Sequence, residues 1–257
     1  MHILKSLAAA FVVAFSIYSK IPVPQFPWKE EDMKYMLCFF PWVGAVIGGL
    51  IYLWSLFCKR FGIGELCYLL LGTAIPLLVT GGFHVDGFMD TMDAFHSYGS
   101  REKKLEILKD PHIGAFAVIM LALYELLYMG AFSEVRDARL LRIVCGGFFL
   151  SRSLSGISVV SFPKAKKEGM LYEAADRSQK GIVKGALYLQ SLLCICFMLR
   201  QSLLGGAVVA AAFASFGYYG WRTRKELGGI TGDTAGFFVL ICEACMMTAA
   251  AVVNVFL

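Results

Sequence analysis

Long apolar runs, separated by short polar segments, are the feature that most limits what this chain can fold into. A helix needs about 20 mostly apolar residues to cross a bilayer, and eight runs approach that length. Hydrophobic residues make up 58% of the chain and charged residues 17%, against about 45–50% and about 25% in soluble domains. The sequence therefore predicts an all-α, polytopic membrane bundle of seven or eight spans, in a single domain over residues 1–257. The candidate spans are residues 3–19, 34–57, 63–82, 113–132, 139–161, 182–199, 202–220 and 235–257.

The first of these runs is open to a second interpretation. Residues 3–19 form a short run that contains Lys5 and Ser6, so the segment could lie in the membrane interface instead of crossing. A signal peptide is disfavoured, because no clear small-x-small cleavage site followed by a soluble domain is present. The composition also argues against a soluble enzyme and against nucleic acid as a partner.

Charged residues are concentrated in four polar segments. Residues 19–34, 83–112, 163–184 and 220–234 hold 16 of the 24 Lys and Arg residues and 14 of the 19 Asp and Glu residues. Because cytoplasmic loops are enriched in Lys and Arg, these segments are predicted to face the cytoplasm from the inner (plasma) membrane. The active site is expected on that face, which carries nearly all the reactive side chains.

The segment 80–114 contains three aspartates, Asp86, Asp90 and Asp93, spaced i, i+4 and i+7. In a helix they fall within about 60° of one face, while His84 falls on the opposite side and is assigned to the preceding turn. Three neighbouring carboxylates repel one another unless a cation lies between them. Mg²⁺ suits such a site, since it binds oxygen and shares its coordination with substrate phosphates. The alternative is a solvated acidic face, but the stripe stands at a membrane exit without interleaved lysines.

Other candidate residues lie in the same polar segments or inside the spans. Lys109 and Asp110 end a short amphipathic helix predicted over residues 101–110, at the boundary of the next span. Asp233 precedes the last span in a Gly-rich stretch that suits a backbone cradle for phosphate, with a further carboxylate for metal. Arg152 and Glu243 lie within apparent spans, where charge marks function or a buried partner. They are expected to line the site or to pair with each other.

Residues 81–94, GGFHVDGFMDTMDA, resemble the hallmark of the cobalamin synthase family, also called adenosylcobinamide-GDP ribazoletransferases. The resemblance continues in order along nearly the whole chain. Ala117 and Leu240 depart from the family pattern, which has Gly and a polar or acidic residue there. The further matching segments are residues 21–24, 41–44 with Gly48, 105–110 with 113–116, and 227–234 with Gly236 and Glu243, while residues 151–152 and 166–170 agree more loosely.

The resemblance implies a membrane enzyme that closes the nucleotide loop of vitamin B12. A ribose hydroxyl of α-ribazole, or of its 5′-phosphate, would attack adenosylcobinamide-GDP at the phosphorus on the cobinamide side and release GMP. Asp86, Asp90 and Asp93 would hold one or two Mg²⁺, and one of them, or Asp110 or Asp233, would take the hydroxyl proton. The lipid bilayer is the expected surrounding, and a homo-oligomer is an open alternative to a monomer. The substrate-binding residues implied are Gly82, His84, Gly87, Thr91, Lys109, Arg152, Thr231 and Glu243.

Two other functions are weighed against this one. A CDP-alcohol phosphotransferase also places several aspartates on membrane helices, but its motif has Arg after the Ala, whereas Phe95 follows Ala94 here. A cation transporter would carry acidic residues near the middle of several spans. The acidic residues of this chain crowd one predicted surface instead.

Overall fold

The computed structural model describes residues 2–24 and 26–255, and in this part of the chain the structure is helical throughout. Two short 3₁₀ turns, Glu30–Met33 and Met36–Cys38, follow the first helix, and a single isolated bridge pairs Lys164 with Ile230. The predicted all-α class is confirmed. The helices are α1 (His2–Tyr18), α2 (Phe40–Phe61), α3 (Glu65–Thr80), α4 (Phe83–His96), α5 (Arg101–Ile107), α6 (Ala115–Glu134), α7 (Ala138–Ser161), α8 (Met170–Arg177), α9 (Lys180–Gln201), α10 (Gly205–Leu227) and α11 (Gly232–Asn254).

Fewer helices than expected meet the length and hydropathy of a membrane span. Among the described residues, α2, α6, α7, α9 and α11 qualify, and α3 with α4 makes a sixth if this bent pair is one span. The prediction of seven or eight spans was therefore too high by these criteria. The run 202–220 became α10, which is long enough but rich in Gly, Ala, Ser and Tyr, and its hydropathy is correspondingly low. The shorter apolar helix over Lys5–Tyr18 leaves both interpretations of the first run open.

Local sequence signals begin and end the long helices. Pro41 stands in the first turn of α2, where proline is tolerated, and Gly62 ends that helix in the left-handed region at φ 66°. The Asp137 carboxylate accepts hydrogen bonds from the first amides of α7, a standard helix cap. Gly228, at φ 76°, ends α10 in the same manner as Gly62 ends α2.

Helix α7 is the centre of the bundle and packs against α2, α9, α10 and α11. Its contact with α2 is made possible by two glycines. A Cβ atom at Gly44 would lie 2.0 Å from the Phe148 carbonyl oxygen, and one at Gly48 would lie 2.2 Å from that of Cys145. Small residues allow such backbone approach between helices in lipid, where van der Waals packing is the main source of association.

A sharp bend between α3 and α4 determines where the aspartates lie. Gly81 and Gly82 have φ angles of 63° and 80°, a conformation that residues with a Cβ rarely adopt. The bend between the two helices is 94°, so α4 does not continue along the direction of α3. It packs instead against α6 and α11.

The four charged segments meet at one end of the bundle. The backbone amide of Lys20 donates to the Val79 carbonyl, that of Gln179 donates to the Lys34 carbonyl, and Lys104 forms an ion pair with Glu226. This shared end agrees with the distribution of charge in the sequence. That it faces the cytoplasm stays a prediction.

Candidate active site

A cavity of about 320 Å³ lies at this end of the bundle, where α4, α11 and residues 166–172 meet. It contains two of the predicted carboxylates, Asp86 and Asp233, together with Lys166, and we call it the acidic cavity. Its walls bring together residues separated by up to 150 positions in the chain. The lining residues are Phe83, Asp86, Gly87, Leu108, Lys166, Glu168, Gly169, Met170, Leu171, Tyr172, Ile230, Thr231, Gly232 and Asp233.

Asp86 and Asp233 share this cavity because α4 and α11 cross in backbone contact. A Cβ atom at Gly87 would lie 2.7 Å from the Asp233 carbonyl oxygen, and one at Gly236 would lie 3.0 Å from that of His84. Gly87 is one of the substrate-binding residues that the family resemblance implied. In the structure Gly87 lines the cavity, but its lack of a side chain serves to let the backbone of α11 pack closely against α4.

The first turn of α11 forms one wall of the acidic cavity. Thr231 and Thr234 cap the helix reciprocally, each hydroxyl accepting a hydrogen bond from the other residue's amide, at 3.2 and 2.8 Å. The Thr231 hydroxyl also lies 3.3 Å from the Asp233 carboxylate and orients it. Because unpaired amides and the helix dipole make an N-terminus favourable for anions, this wall suits phosphate oxygens.

Asp90 and Lys166 add one charge of each sign to the site. Asp90 is half-buried and lies close enough to Asp86, Asp233 and Lys166 to interact with their charges. Lys166 is also half-buried, and burial lowers its pKa, while the Asp233 carboxylate acts in the opposite direction. Carboxylates and one ammonium group therefore face each other across a partly desolvated space, where electrostatic interactions are stronger than in water.

Asp93, the third member of the stripe, has backbone partners that the sequence did not reveal. Its two oxygens accept hydrogen bonds from the amides of Gly114, at 2.7 Å, and Ala117, at 2.9 Å. The carboxylate thus satisfies the first amides of α6, as a helix cap does. Ala117, one of the departures from the family pattern, is buried and contributes only its backbone to this contact.

Lys109 and Asp110 lie beyond the end of α5, which stops at Ile107 and is shorter than the predicted 101–110 helix. Lys109 pairs at 2.7 Å with Glu168, a residue of the cavity wall. Asp110 is exposed and bonds His112 at 2.7 Å, and these hydrogen bonds lower its pKa. Lys109 therefore lies at the edge of the acidic cavity, whereas Asp110 does not line it.

Arg152 and Glu243 pair with each other inside the bundle, one of the two predicted outcomes. Their ion pair measures 2.5 Å, and their side chains are 1% and 6% exposed. The Ser151 hydroxyl donates to the same Glu243 oxygen at 2.9 Å, and Arg152 donates to the Phe148 carbonyl at 3.0 Å. A separate polar cavity of about 30 Å³ adjoins this pair, so neither side chain lines the acidic cavity.

The remaining predicted site residues on α4 are buried or stand at its start. His84 is the second residue of α4, not part of the preceding turn, and it lines the small cavity beside Arg152 and Glu243, not the acidic cavity. Its Nε2 atom and the hydroxyl of the fully buried Thr91 have no hydrogen-bond partner among the described residues. Gly82 forms the bend before α4.

The described residues contain no group of three His, Cys, Asp or Glu side chains arranged to hold a metal ion by themselves. This arrangement still fits Mg²⁺, which usually keeps several waters and takes one or two protein carboxylates together with substrate phosphates. Asp86, Asp90 and Asp233 are the carboxylates that could supply such a site.

Sequence reasoning assigned no role to Lys166, although it lines the acidic cavity. Two signals pointed to its segment. Residues 163–184 hold six basic residues, and residues 166–170 resemble the family pattern loosely. Neither signal distinguished Lys166 from its neighbour Lys167, because only the folded chain separates the cavity wall from the exposed surface.

Known proteins resemble this chain over almost its entire length. A protein-family model described as cobalamin-5-phosphate synthase matches residues 10–251. The chain belongs to the cobalamin-5-phosphate synthase family. The family membership confirms the resemblance that residues 81–94 carry, and it makes this chain an enzyme of the transferase type.

Individual relatives support the same assignment. An adenosylcobinamide-GDP ribazoletransferase of Lachnoclostridium phytofermentans is 42% identical over 243 residues, which cover 94% of this chain and 92% of the relative. Enzymes of that name from Clostridium perfringens and Clostridium botulinum are 31% and 28% identical, over 93% and 95% of this chain and 96% and 100% of their own lengths. No solved structure matches the chain significantly.

Proposed function

We propose that the acidic cavity catalyses transfer of the adenosylcobinamide-phosphate group from adenosylcobinamide-GDP to a ribose hydroxyl of α-ribazole or its 5′-phosphate. The hydroxyl oxygen bonds to the phosphorus on the cobinamide side, and the bond from that phosphorus to the bridging oxygen of the pyrophosphate breaks. GMP leaves with the bridging oxygen, and the hydroxyl proton passes to a protein carboxylate. The product is adenosylcobalamin or its 5′-phosphate.

The observation that carries this proposal is the joint lining of one cavity by Asp86, Asp233, Lys166 and the first turn of α11. Transfer of a phosphoryl group needs little covalent help from a protein. It needs positioning and neutralisation of charge on the phosphate oxygens. The Lys166 ammonium and the N-terminus of α11 supply positive charge and amide donors at the same cavity.

We assign binding of Mg²⁺ to Asp86 and Asp90, which stand one helical turn apart on α4. When bound there, the ion would neutralise charge on the pyrophosphate. Asp233 is the proposed base for the hydroxyl proton, because Thr231 orients its carboxylate at 3.3 Å. The sequence also predicts Asp93 as a third metal ligand. That role stays a prediction, since both Asp93 oxygens accept hydrogen bonds from the amides of Gly114 and Ala117.

The protein is proposed to work in the inner (plasma) membrane, with its acidic cavity open to the cytoplasm. Both substrates carry phosphate or several hydroxyl groups, and they would therefore reach the acidic cavity from the aqueous side. Lys109, which pairs with Glu168 at the cavity edge, is proposed to offset negative charge on GMP as it leaves. Arg152, buried with Glu243, acts on the site only through packing.

The test is release of GMP from adenosylcobinamide-GDP by purified protein in liposomes, with α-ribazole or its phosphate, in Mg²⁺ and then in EDTA. We expect GMP release that depends on both acceptor and Mg²⁺. Asp86→Asn and Asp233→Asn should each abolish most of it. Asp176→Asn is the matched control, since Asp176 is exposed on α8 at the same end of the bundle.

Absence of turnover in folded protein with both acceptors would overturn the proposal. The alternatives would then be tested with the same preparation. Transfer from CDP-linked lipids would indicate a CDP-alcohol phosphotransferase. Mg²⁺ flux into liposomes that lack any nucleotide would indicate a transporter.

A further inference from the structure

A second and larger cavity, of about 570 Å³, lies between α10 and the segment that follows α7. Its walls are mainly apolar and aromatic, with Phe162, Phe216 and Trp221 prominent. Gly217 leaves one wall open, since a Cβ atom built there would meet nothing within 4 Å. We call this space the α10 cavity. Neither the predicted site residues nor the proposed reaction makes use of it.

The edge of the α10 cavity carries positive charge. Among the described residues, Arg224 and Lys225 are the charged members of its lining, and none of the lining residues is a carboxylate. Both are exposed, and the Lys225 ammonium lies 5.2 Å from the centre of the Trp221 ring. Trp221 is 54% and the neighbouring Tyr218 is 44% exposed. Aromatic rings next to Lys and Arg are the composition of a membrane–water interface.

More positive charge stands beside the cavity. Lys164 donates a hydrogen bond at 2.5 Å to the carbonyl of Phe162, whose side chain lines the cavity. Burial, with the added charges of Lys180 and Lys184, lowers the pKa of Lys164 to about 8. These lysines repel one another, and an anion bound near them would reduce that repulsion.

We propose that the α10 cavity binds an anionic phospholipid. The acyl chain and glycerol region would pack on Phe162, Phe216 and the open surface at Gly217, and the phosphate would lie between Arg224 and Lys225. A phospholipid is the favoured occupant because the apolar, aromatic wall of the cavity lies next to a basic edge. The chain also has several long apolar helices that fit a bilayer. A purely apolar ligand would leave the two cations without a counter-charge.

The site has a direct connection to the acidic cavity through one backbone pairing. Ile230 lines both cavities, and its amide and carbonyl bond the Pro163 carbonyl and the Ala165 amide, each at 2.9 Å. The next residues along the two paired segments, Thr231 and Lys166, belong to the acidic cavity. A lipid packed against this pairing would hold that shared wall in place, and the effect on turnover rests on the proposed function.

Fluorescence quenching tests lipid binding without any activity measurement. A variant that keeps Trp221 as its sole tryptophan, with Trp28, Trp42 and Trp54 changed to Phe, would be placed in vesicles that contain brominated phosphatidylglycerol or brominated phosphatidylcholine. Two basic side chains predict about a 30-fold preference of the site for the anionic lipid, and each charge removed should reduce it about fivefold. Arg224→Gln and Lys225→Gln measure these losses.

A cavity-filling variant supplies the second arm. Gly217→Leu places a side chain in the open space and should abolish the preference for phosphatidylglycerol. Gly130→Leu is the matched control, because a Cβ atom there also meets nothing within 4 Å and the residue lies on α6, away from this cavity. Circular dichroism and size-exclusion chromatography of each variant confirm that it folds.

Equal quenching by the two lipids would overturn the proposal, since it would mean ordinary contact with bulk lipid. If added α-ribazole protected Trp221 from quenching by the brominated lipids, the proposal would also be overturned, and the cavity would be identified as a substrate site. Because neither outcome depends on GMP release, failure of this inference is distinguishable from failure of the proposed function.

Discussion

At the scale of single residues, two neighbours in the sequence have opposite surroundings. Lys166 lines the acidic cavity and is half-buried near Asp233, whereas Lys167 is exposed. The two side chains have the same charge and length. Only Lys166 lines the cavity to which the proposed reaction is assigned, so this pair offers a test in which the chemistry is matched and the position alone differs.

We expect Lys166→Gln to lower kcat/KM by roughly 10²-fold, the effect of removing one preorganised donor from a charged transition state. Lys166→Arg should retain more activity than Lys166→Gln, because it keeps the positive charge. Lys167→Gln is the control and should stay near the wild-type value. Equal kcat/KM for Lys166→Gln and Lys167→Gln in the GMP-release assay would contradict this role.

At the scale of helices, Asp93 connects α4 to α6 through two amide hydrogen bonds. Asp93→Ala removes both acceptors, and we expect it to lower the free energy of unfolding by about 0.5–2 kcal/mol, as loss of a helix cap does. Thermal unfolding in detergent would show this as a lower Tm. Asp86→Ala, which changes an exposed carboxylate on the same helix, should leave Tm almost unchanged.

The same variants separate the two roles assigned to Asp93. A helix cap predicts lower stability with an unaltered Mg²⁺ requirement. A metal ligand predicts the reverse, an increased Mg²⁺ requirement at unaltered stability. The Mg²⁺ concentration that gives half-maximal GMP release in Asp93→Ala decides between them.

The crossing of α4 and α11 is the second feature at this scale. Gly87→Ala should cost about 1–3 kcal/mol, because its Cβ atom would overlap the α11 backbone and overpack the contact. It should also lower kcat by separating Asp86 from Asp233. Gly49→Ala, where the added Cβ meets nothing within 4 Å, is the control and should be neutral or slightly stabilising. Unchanged Tm and kcat in Gly87→Ala would contradict the close backbone contact between α4 and α11 at Gly87.

At the level of the whole molecule, the Arg152–Glu243 pair joins α7 and α11, the two most buried of the five described helices that have the length and hydropathy of a span. Breaking a buried ion pair by removing one partner costs about 3–5 kcal/mol, whereas replacing both partners by apolar residues is often neutral. We therefore expect Glu243→Gln to lower Tm strongly and the double variant Arg152→Met, Glu243→Met to restore it.

Activity of the double variant tests the substrate-binding role predicted for these two residues. If the pair acts only through packing, GMP release should recover together with Tm. Recovery of Tm without recovery of GMP release would show that Arg152 or Glu243 has a role in the reaction in addition to its contribution to stability.

Much of this protein could be predicted from local sequence. Apolar runs of span length indicated an all-α membrane bundle, because hydropathy and helix length are properties of contiguous residues. The i, i+4 spacing placed Asp86 and Asp90 on one face of a helix, and residues 81–94 indicated the family. The charged segments were correctly grouped at one end, since helices that cross a bundle in alternation bring every second connection to the same side.

The tertiary structure alone decided how these parts are combined. The 94° bend after α3, the capping of α6 by Asp93, the burial of His84 and Thr91, and the position of Lys166 in the acidic cavity all depend on contacts between distant segments. Sequence periodicity and local motifs do not predict such contacts, because an apolar helix face has the same residue pattern whichever neighbouring helix covers it. Contiguous residues indicate the class of protein and the set of reactive side chains, whereas packing between distant helices selects which of those side chains meet in one cavity.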